Sequence, residues 1–137
     1  MEARIVIADD EPHILRLLDM ALTRGGYPVV TARDGEEALA RVRDHAPVIV
    51  ILDGEMPRRS GYEVARAVRD DPAIPVQPYI IMLTAGGQPA DAARAAAAGV
   101  DEFLTKPFSP RRLVSRVREV LEDPARRDGQ AGGAAPS

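Results

Sequence analysis

Asp9 and Asp10 follow the apolar run Ile5-Val6-Ile7-Ala8, and Asp53 follows Val48-Ile49-Val50-Ile51-Leu52. Thr84 follows Ile80-Ile81-Met82-Leu83, and Lys106 follows Phe103-Leu104-Thr105. Three carboxylates brought within a few ångströms repel, each pair by about 4 kcal/mol at about 4 Å and an effective dielectric of about 20. Such a cluster makes sense around a divalent cation, and an all-oxygen set suits Mg²⁺ better than zinc. A threonine hydroxyl and a lysine ammonium are natural partners of phosphoryl oxygens. Together these groups point to phosphoryl chemistry, with Asp53, at the end of the most apolar run, as the nucleophile.

Taken singly, each residue has an ordinary structural role. Asp9 or Asp10 could cap a helix, Asp53 could be a turn residue before Gly54, and Thr84 could simply end a strand. Lys106 is harder to dismiss, because it is the only lysine in the chain and is followed by proline. It is the joint occurrence that speaks for a site.

The elements that must position these residues alternate. Apolar runs without a polar–apolar alternation suit strands buried on both faces, as in a parallel sheet. Val29-Val30 forms a further, weaker run. Between the runs lie helical patterns. Residues 11–24 carry Ile14, Leu17, Leu18 and Ala21 on one predicted face and end at Gly25-Gly26. Asp34 with Glu37, and Ser60 with Glu63, have capping-box spacing. Pro89 opens an alanine-rich helix that Gly99 stops, and Ser109-Pro110 opens a last helix carrying Leu113, Val117, Val120 and Leu121. Met20, Met56 and Met82 are expected in or near the core. The order βαβαβαβαβα predicts an α/β fold with a parallel sheet and helices on both faces, and the expected form is a flavodoxin-like doubly wound (βα)5 with a five-stranded parallel sheet in the order 2-1-3-4-5. In that order the ends of the first and third strands face each other, which brings Asp9 and Asp10 to Asp53. One domain is expected over residues 1–122, with a disordered tail over 123–137, since the tail lacks large apolar residues.

Composition narrows the function. The 137 residues hold 18 Lys+Arg against 21 Asp+Glu, a net charge of −3, which does not suggest a nucleic-acid binder. Residues 1–57 hold 11 acidic and 6 basic groups, and residues 58–137 hold 10 and 12, so the balanced total conceals an acidic first half containing Asp9, Asp10 and Asp53. Cysteine is absent, which excludes disulfides, thiolate metal sites and a cysteine nucleophile. The two histidines, His13 and His45, are distant in sequence and expected at the surface. The longest apolar run, Ala46 to Leu52, is far too short to span a bilayer, and no signal-peptide core is present. The expectation is a cytoplasmic protein with neither a membrane nor a nucleic-acid partner.

The segments Val6-Ile7-Ala8-Asp9-Asp10-Glu11, Ile51-Leu52-Asp53-Gly54-Glu55-Met56-Pro57 with Gly61, Met82-Leu83-Thr84-Ala85 and Phe103-Leu104-Thr105-Lys106-Pro107-Phe108 resemble the response-regulator receiver domain of two-component signalling, the CheY-like family. The resemblance covers roughly residues 3–122. It implies that Asp53 accepts a phosphoryl group from a sensor histidine kinase. It implies Mg²⁺ held by Asp10 directly, by Asp9 mainly through water, by Asp53 and by the backbone carbonyl of Glu55. Thr84 and Lys106 would bind phosphoryl oxygens, and Phe103 would be the aromatic that turns inward with Thr84. The Lys106–Pro107 bond would be cis, and Ala85 would leave access to Asp53. Glu55 and Gly86 fall where family members vary and tune self-dephosphorylation, so Glu55→Ala is expected to alter phosphoryl lifetime.

The resulting expectation is a stand-alone response regulator, a phosphorelay switch that signals to a downstream protein and catalyses only its own phosphorylation and dephosphorylation. A phosphorylation-dependent dimer through Glu102 and Arg116 is a weaker expectation, since the matching lysine on the fourth helix is missing. The alternatives are a Mg²⁺-dependent phosphatase of haloacid-dehalogenase type, which Asp53-x-Glu55 fits superficially, and a nucleotide or flavin binder. The lack of Gly-x-Gly-x-x-Gly counts against the latter.

Overall fold

The computed structural model describes residues 4–85, 89–106 and 109–123. Strands β1 (Ile5–Ala8), β2 (Val29–Ala32), β3 (Ile49–Asp53), β4 (Tyr79–Thr84) and β5 (Glu102–Thr105) alternate with helices α1 (Pro12–Arg24), α2 (Gly35–His45), α3 (Gly61–Asp70), α4 (Pro89–Ala97) and α5 (Pro110–Glu122). All strand pairs are parallel, in the order β2-β1-β3-β4-β5. This is the flavodoxin-like arrangement expected from the sequence.

Helices cover both faces of the sheet, so the central strands are buried on both sides and read as unbroken apolar runs. On one face Val6, Ala8, Val50, Leu52, Ile80 and Met82 pack under α2, α3 and α4. On the other Ile5, Ile7, Ile49, Ile51, Ile81 and Leu83 pack under α1 and α5. The α4 layer is thin, because its buried contribution to the core is Ala95, with Ala98 just beyond the helix end.

The helix starts follow their caps. Ser60 and Glu63 form a complete capping box on α3, with Glu63 N–H donating to Ser60 Oγ at 3.2 Å and Ser60 N–H donating to Glu63 Oε1 at 2.9 Å. On α2, Asp34 Oδ1 accepts from Glu37 N–H at 2.8 Å, but Glu37 returns its bond to Arg33 N–H, one residue earlier than a reciprocal box requires. Ser109 Oγ caps α5. Gly99 ends the α4 turn with φ +84°, a left-handed conformation that favours glycine.

Some local expectations are corrected. The inward seam of α1 is Leu15, Leu18 and Leu22, and Leu17 is 48% exposed because it lies roughly 160° around the helix from Leu15. Met20, similarly placed relative to Leu18, is 47% exposed and outside the core, whereas Met82 is fully buried and Met56 packs at the core edge. Val48 precedes β3 and is partly exposed. His13 is exposed, but His45 is half-buried, its Nδ1 3.0 Å from an Arg4 guanidinium nitrogen. Gly86, the Lys106–Pro107 bond and the tail beyond Asp123 lie outside the described residues.

Candidate functional site

The site lies at the carboxyl ends of β1, β3, β4 and β5, where the strand order reverses. Ala8 of β1 pairs with Leu52 of β3, so Asp9 and Asp53 stand opposite each other. Asp9 is fully buried and Asp53 is 5% exposed, while Asp10 faces solvent. Each of the three offers a carboxylate oxygen, and these oxygens lie within 4.8 Å of one another. Lys106 reaches in from the end of β5, its Nζ 3.5 Å from Asp9 Oδ2 and 3.4 Å from Asp53 Oδ1. Its backbone N–H donates to the Thr84 carbonyl at 2.6 Å, which ties the lysine to the end of β4.

Burial is the main force on Asp53, and together with the neighbouring Asp9 charge it raises the carboxyl from 3.8 to about 6. The Glu55 N–H, donated to Asp53 Oδ1 at 3.2 Å, and the Lys106 ammonium pull the other way without prevailing. Burial alone would lower the Lys106 ammonium, but the Asp53 and Asp9 charges outweigh it and raise it. Asp9 Oδ1 accepts from Glu11 N–H at 2.9 Å, whereas Asp9 Oδ2 is buried without a hydrogen bond. A buried anionic oxygen left in this state is costly unless a cation meets it. One lysine at 3.5 Å does not balance three carboxylates. The donor set, all carboxylate oxygen, therefore fits a hard divalent cation such as Mg²⁺.

The model of the response regulator receiver domain matches residues 5–118. The chain belongs to this family. Receiver domains bind Mg²⁺ in such an acidic pocket and take phosphate from histidine kinases. The chain is 45% identical over 118 residues to the probable transcriptional regulator ycf27 of Guillardia theta, covering 86% of this chain and 45% of that protein. It is 42% identical over 120 residues to the transcriptional regulatory protein ResD of Bacillus subtilis, covering 88% and 48%. This receiver thus spans about half the length of the curated relatives it matches. Among solved structures, the chemotaxis response regulator CheY4 of Vibrio cholerae superposes with a TM-score of 0.80 at 33% identity, covering 88% of this chain and all of that one. The family match leaves the haloacid-dehalogenase phosphatase reading without support.

The remaining site residues of the receiver fall as follows. Thr84 ends β4 and is 4% exposed. By strand alternation it lies on the same face as Met82, the face against which Phe103 packs. Phe103 pairs in register with Met82 and is half-buried. The two residues named as a switch therefore share the α3–α4 side of the sheet, while Lys106 reaches the carboxylates. Glycine at 61 lets α3 start against β3, since a Cβ there would collide with the Asp53 carbonyl oxygen.

The Glu55 carboxylate is exposed and stands 4.0 Å from an Arg94 Nη atom, outside the cluster of Asp9, Asp10 and Asp53. The part the resemblance gives Glu55 rests on its backbone carbonyl. Glu102 and Arg116 are bonded to each other within the chain, Arg116 Nε donating to both Glu102 oxygens at 2.6–2.7 Å while Tyr79 Oη donates to Glu102. Both groups are thus already paired within the chain.

Sequence reasoning passed over Arg69 and Arg94. Arg69 donates to the carbonyls of Gly99 and Pro78, to Gln77 Oε1 and to Asp101, joining α3 to the segments that flank β4 and β5. Arg94 stacks over Tyr62, its guanidinium carbon 4.0 Å from the ring centroid. Its only signal was position, an arginine inside a run of alanines.

Proposed function

We propose that this receiver is a phosphoacceptor switch in which an ionised Asp53 oxygen attacks the phosphorus of a sensor kinase's phosphohistidine. An O–P bond forms, the N–P bond breaks, and its electron pair returns to the imidazole nitrogen. The observation that carries the reading is the buried Asp9–Asp53 pair, joined by Asp10 and faced by Lys106. Asp10, Asp9, Asp53 and the Glu55 backbone carbonyl would hold Mg²⁺. When bound, Mg²⁺ supplies charge neutralisation for the nucleophile and the transferring phosphoryl oxygens.

Lys106 then serves as the fixed cation toward the phosphoryl oxygens, and the Thr84 hydroxyl donates to them. Those contacts exist only in the phosphorylated state, so they bias the equilibrium toward it. Phe103, on the face it shares with Thr84, transmits the change to a downstream protein partner. The chain turns over no external substrate beyond this self-catalysed gain and loss of phosphate, and it acts in the cytoplasm.

The likeness to the chemotaxis regulator CheY4 is what a stand-alone regulator would show, although the receiver domain of the longer regulator DrrB is covered in full as well. The curated relatives, named transcriptional regulators and about twice as long, favour a second reading in which the receiver governs DNA binding in a longer protein. Incubation with acetyl phosphate tests the common core. Stoichiometric, Mg²⁺-dependent labelling that Asp53→Asn abolishes is expected, and labelling that survives this substitution would refute the assignment. Co-purification of the natural gene product at its full size separates the two readings.

A further inference from the structure

We infer that Arg94 is a charge-balancing residue for phosphodonor approach, an inference that rests on the phosphoacceptor reading. Asp9, Asp10 and Asp53 bring three negative charges to the pocket, which Lys106 and a divalent cation together match. Glu55, two residues past Asp53, adds a further negative charge at the rim, and its backbone N–H is bonded to Asp53 Oδ1. A phosphodonor is itself anionic, so an uncompensated Glu55 opposes its arrival.

Arg94 supplies the missing positive charge from α4. The contact to Glu55, at 4.0 Å with both side chains more than half exposed, would position little by itself. Tyr62 provides the positioning. Its ring is 4% exposed and packs against Gly54, where a Cβ would lie 3.2 Å from Tyr62 Cε2. The guanidinium lies over that ring, a geometry that favours arginine over lysine. A rigid buried platform beside the nucleophile's own loop thus holds one cation next to the rim carboxylate. Because α4 inserts little beyond alanines into the core, this contact also supplies a side-chain anchor the helix otherwise lacks. Arg94 acts through Glu55 and the local field, and is a positioning residue.

Labelling by acetyl phosphate is the assay, in which Asp53 oxygen gains the phosphoryl group and acetate leaves with the electron pair of the broken O–P bond. At low ionic strength R94A is expected to label about fourfold more slowly than the unsubstituted chain, a size set by one unit charge acting on a dianion at roughly 10 Å in a solvent-like dielectric of about 80. The deficit should largely vanish at about 0.5 M salt. Because charge contributions add, E55Q alone is expected to label faster, and the E55Q/R94A double variant, with both rim charges removed, to label at about the rate of the unsubstituted chain. Mg²⁺ affinity, read from the rise in thermal denaturation temperature with Mg²⁺, should move the opposite way and tighten in R94A, because the rim becomes more negative. A lesion that merely loosened the fold would slow labelling and weaken Mg²⁺ binding together. Equal labelling of R94A and the unsubstituted chain, a deficit that survives high salt, a double variant no faster than R94A alone, or weakened Mg²⁺ binding would each overturn the inference. Failure of the unsubstituted chain to label at all would instead overturn the phosphoacceptor reading, and this inference with it.

Discussion

Asp53→Asn should stabilise the protein at neutral pH while removing the phosphoacceptor. Burial and the facing Asp9 raise the Asp53 carboxyl from 3.8 to about 6, so ionising it in the folded state costs more than in the unfolded chain. Two pKa units correspond to about 3 kcal/mol once the pH is well above 6, and the asparagine side chain escapes that cost while its oxygen still accepts the Glu55 N–H. Relaxation of Lys106 toward Asp9 makes this an upper figure, and a gain of about 1–3 kcal/mol is expected. The sign follows from the raised folded value. Native Asp53 loses no stability well below 3.8, where both states are protonated; the loss builds between about 3.8 and about 6 and levels off above that. The advantage of the Asp53→Asn variant should therefore be about a third of its full size near pH 4.5 and complete by about pH 7.5. Chemical denaturation across that range measures it, and thermal denaturation should show a rise of roughly 5–12 °C at neutral pH. Mg²⁺ should narrow the gap by stabilising the native chain preferentially. A difference that is absent, or that does not change between pH 4.5 and 7.5, would refute the argument that burial of the Asp53 charge strains this fold.

Arg69→Ala should cost about 2–4 kcal/mol in denaturant unfolding, because it removes a half-buried guanidinium that serves two carbonyls, an amide oxygen and Asp101. Gly61→Ala should cost more than about 2 kcal/mol and also depress labelling at Asp53, since the new Cβ meets the Asp53 carbonyl and Met82 Sδ. Lys106→Met should destabilise the metal-free protein by about 1–3 kcal/mol at neutral pH, because Asp9 and Asp53 then face each other without their cation, and NMR titration should find the Asp53 carboxyl raised further. Ser60→Ala, which dismantles the complete capping box of α3, should cost about 1 kcal/mol without changing the pH dependence of stability.

Much of this protein was legible in the chain itself. The apolar runs, the breaks between them and the polar residue after each run pointed to a parallel sheet, and placed Asp9, Asp53, Thr84 and Lys106 at the carboxyl ends of its strands. That was possible because a parallel strand buried on both faces must be apolar until it ends, so chemistry collects where it stops. The tertiary structure decided which groups touch. It buried Asp53 and set Asp9 against it by the β1–β3 register, and chiefly by that burial raised the Asp53 carboxyl. It turned the Glu55 carboxylate toward Arg94, and closed Glu102 onto Arg116 within the chain. It also chose the row of α1 that faces inward, burying Leu15, Leu18 and Leu22 and leaving Leu17 and Met20 in solvent. A sequence records the period of its apolar residues and the ends of its strands. Distances between side chains on different elements, and the burial that moves their charges, exist only once the helices have packed on the sheet.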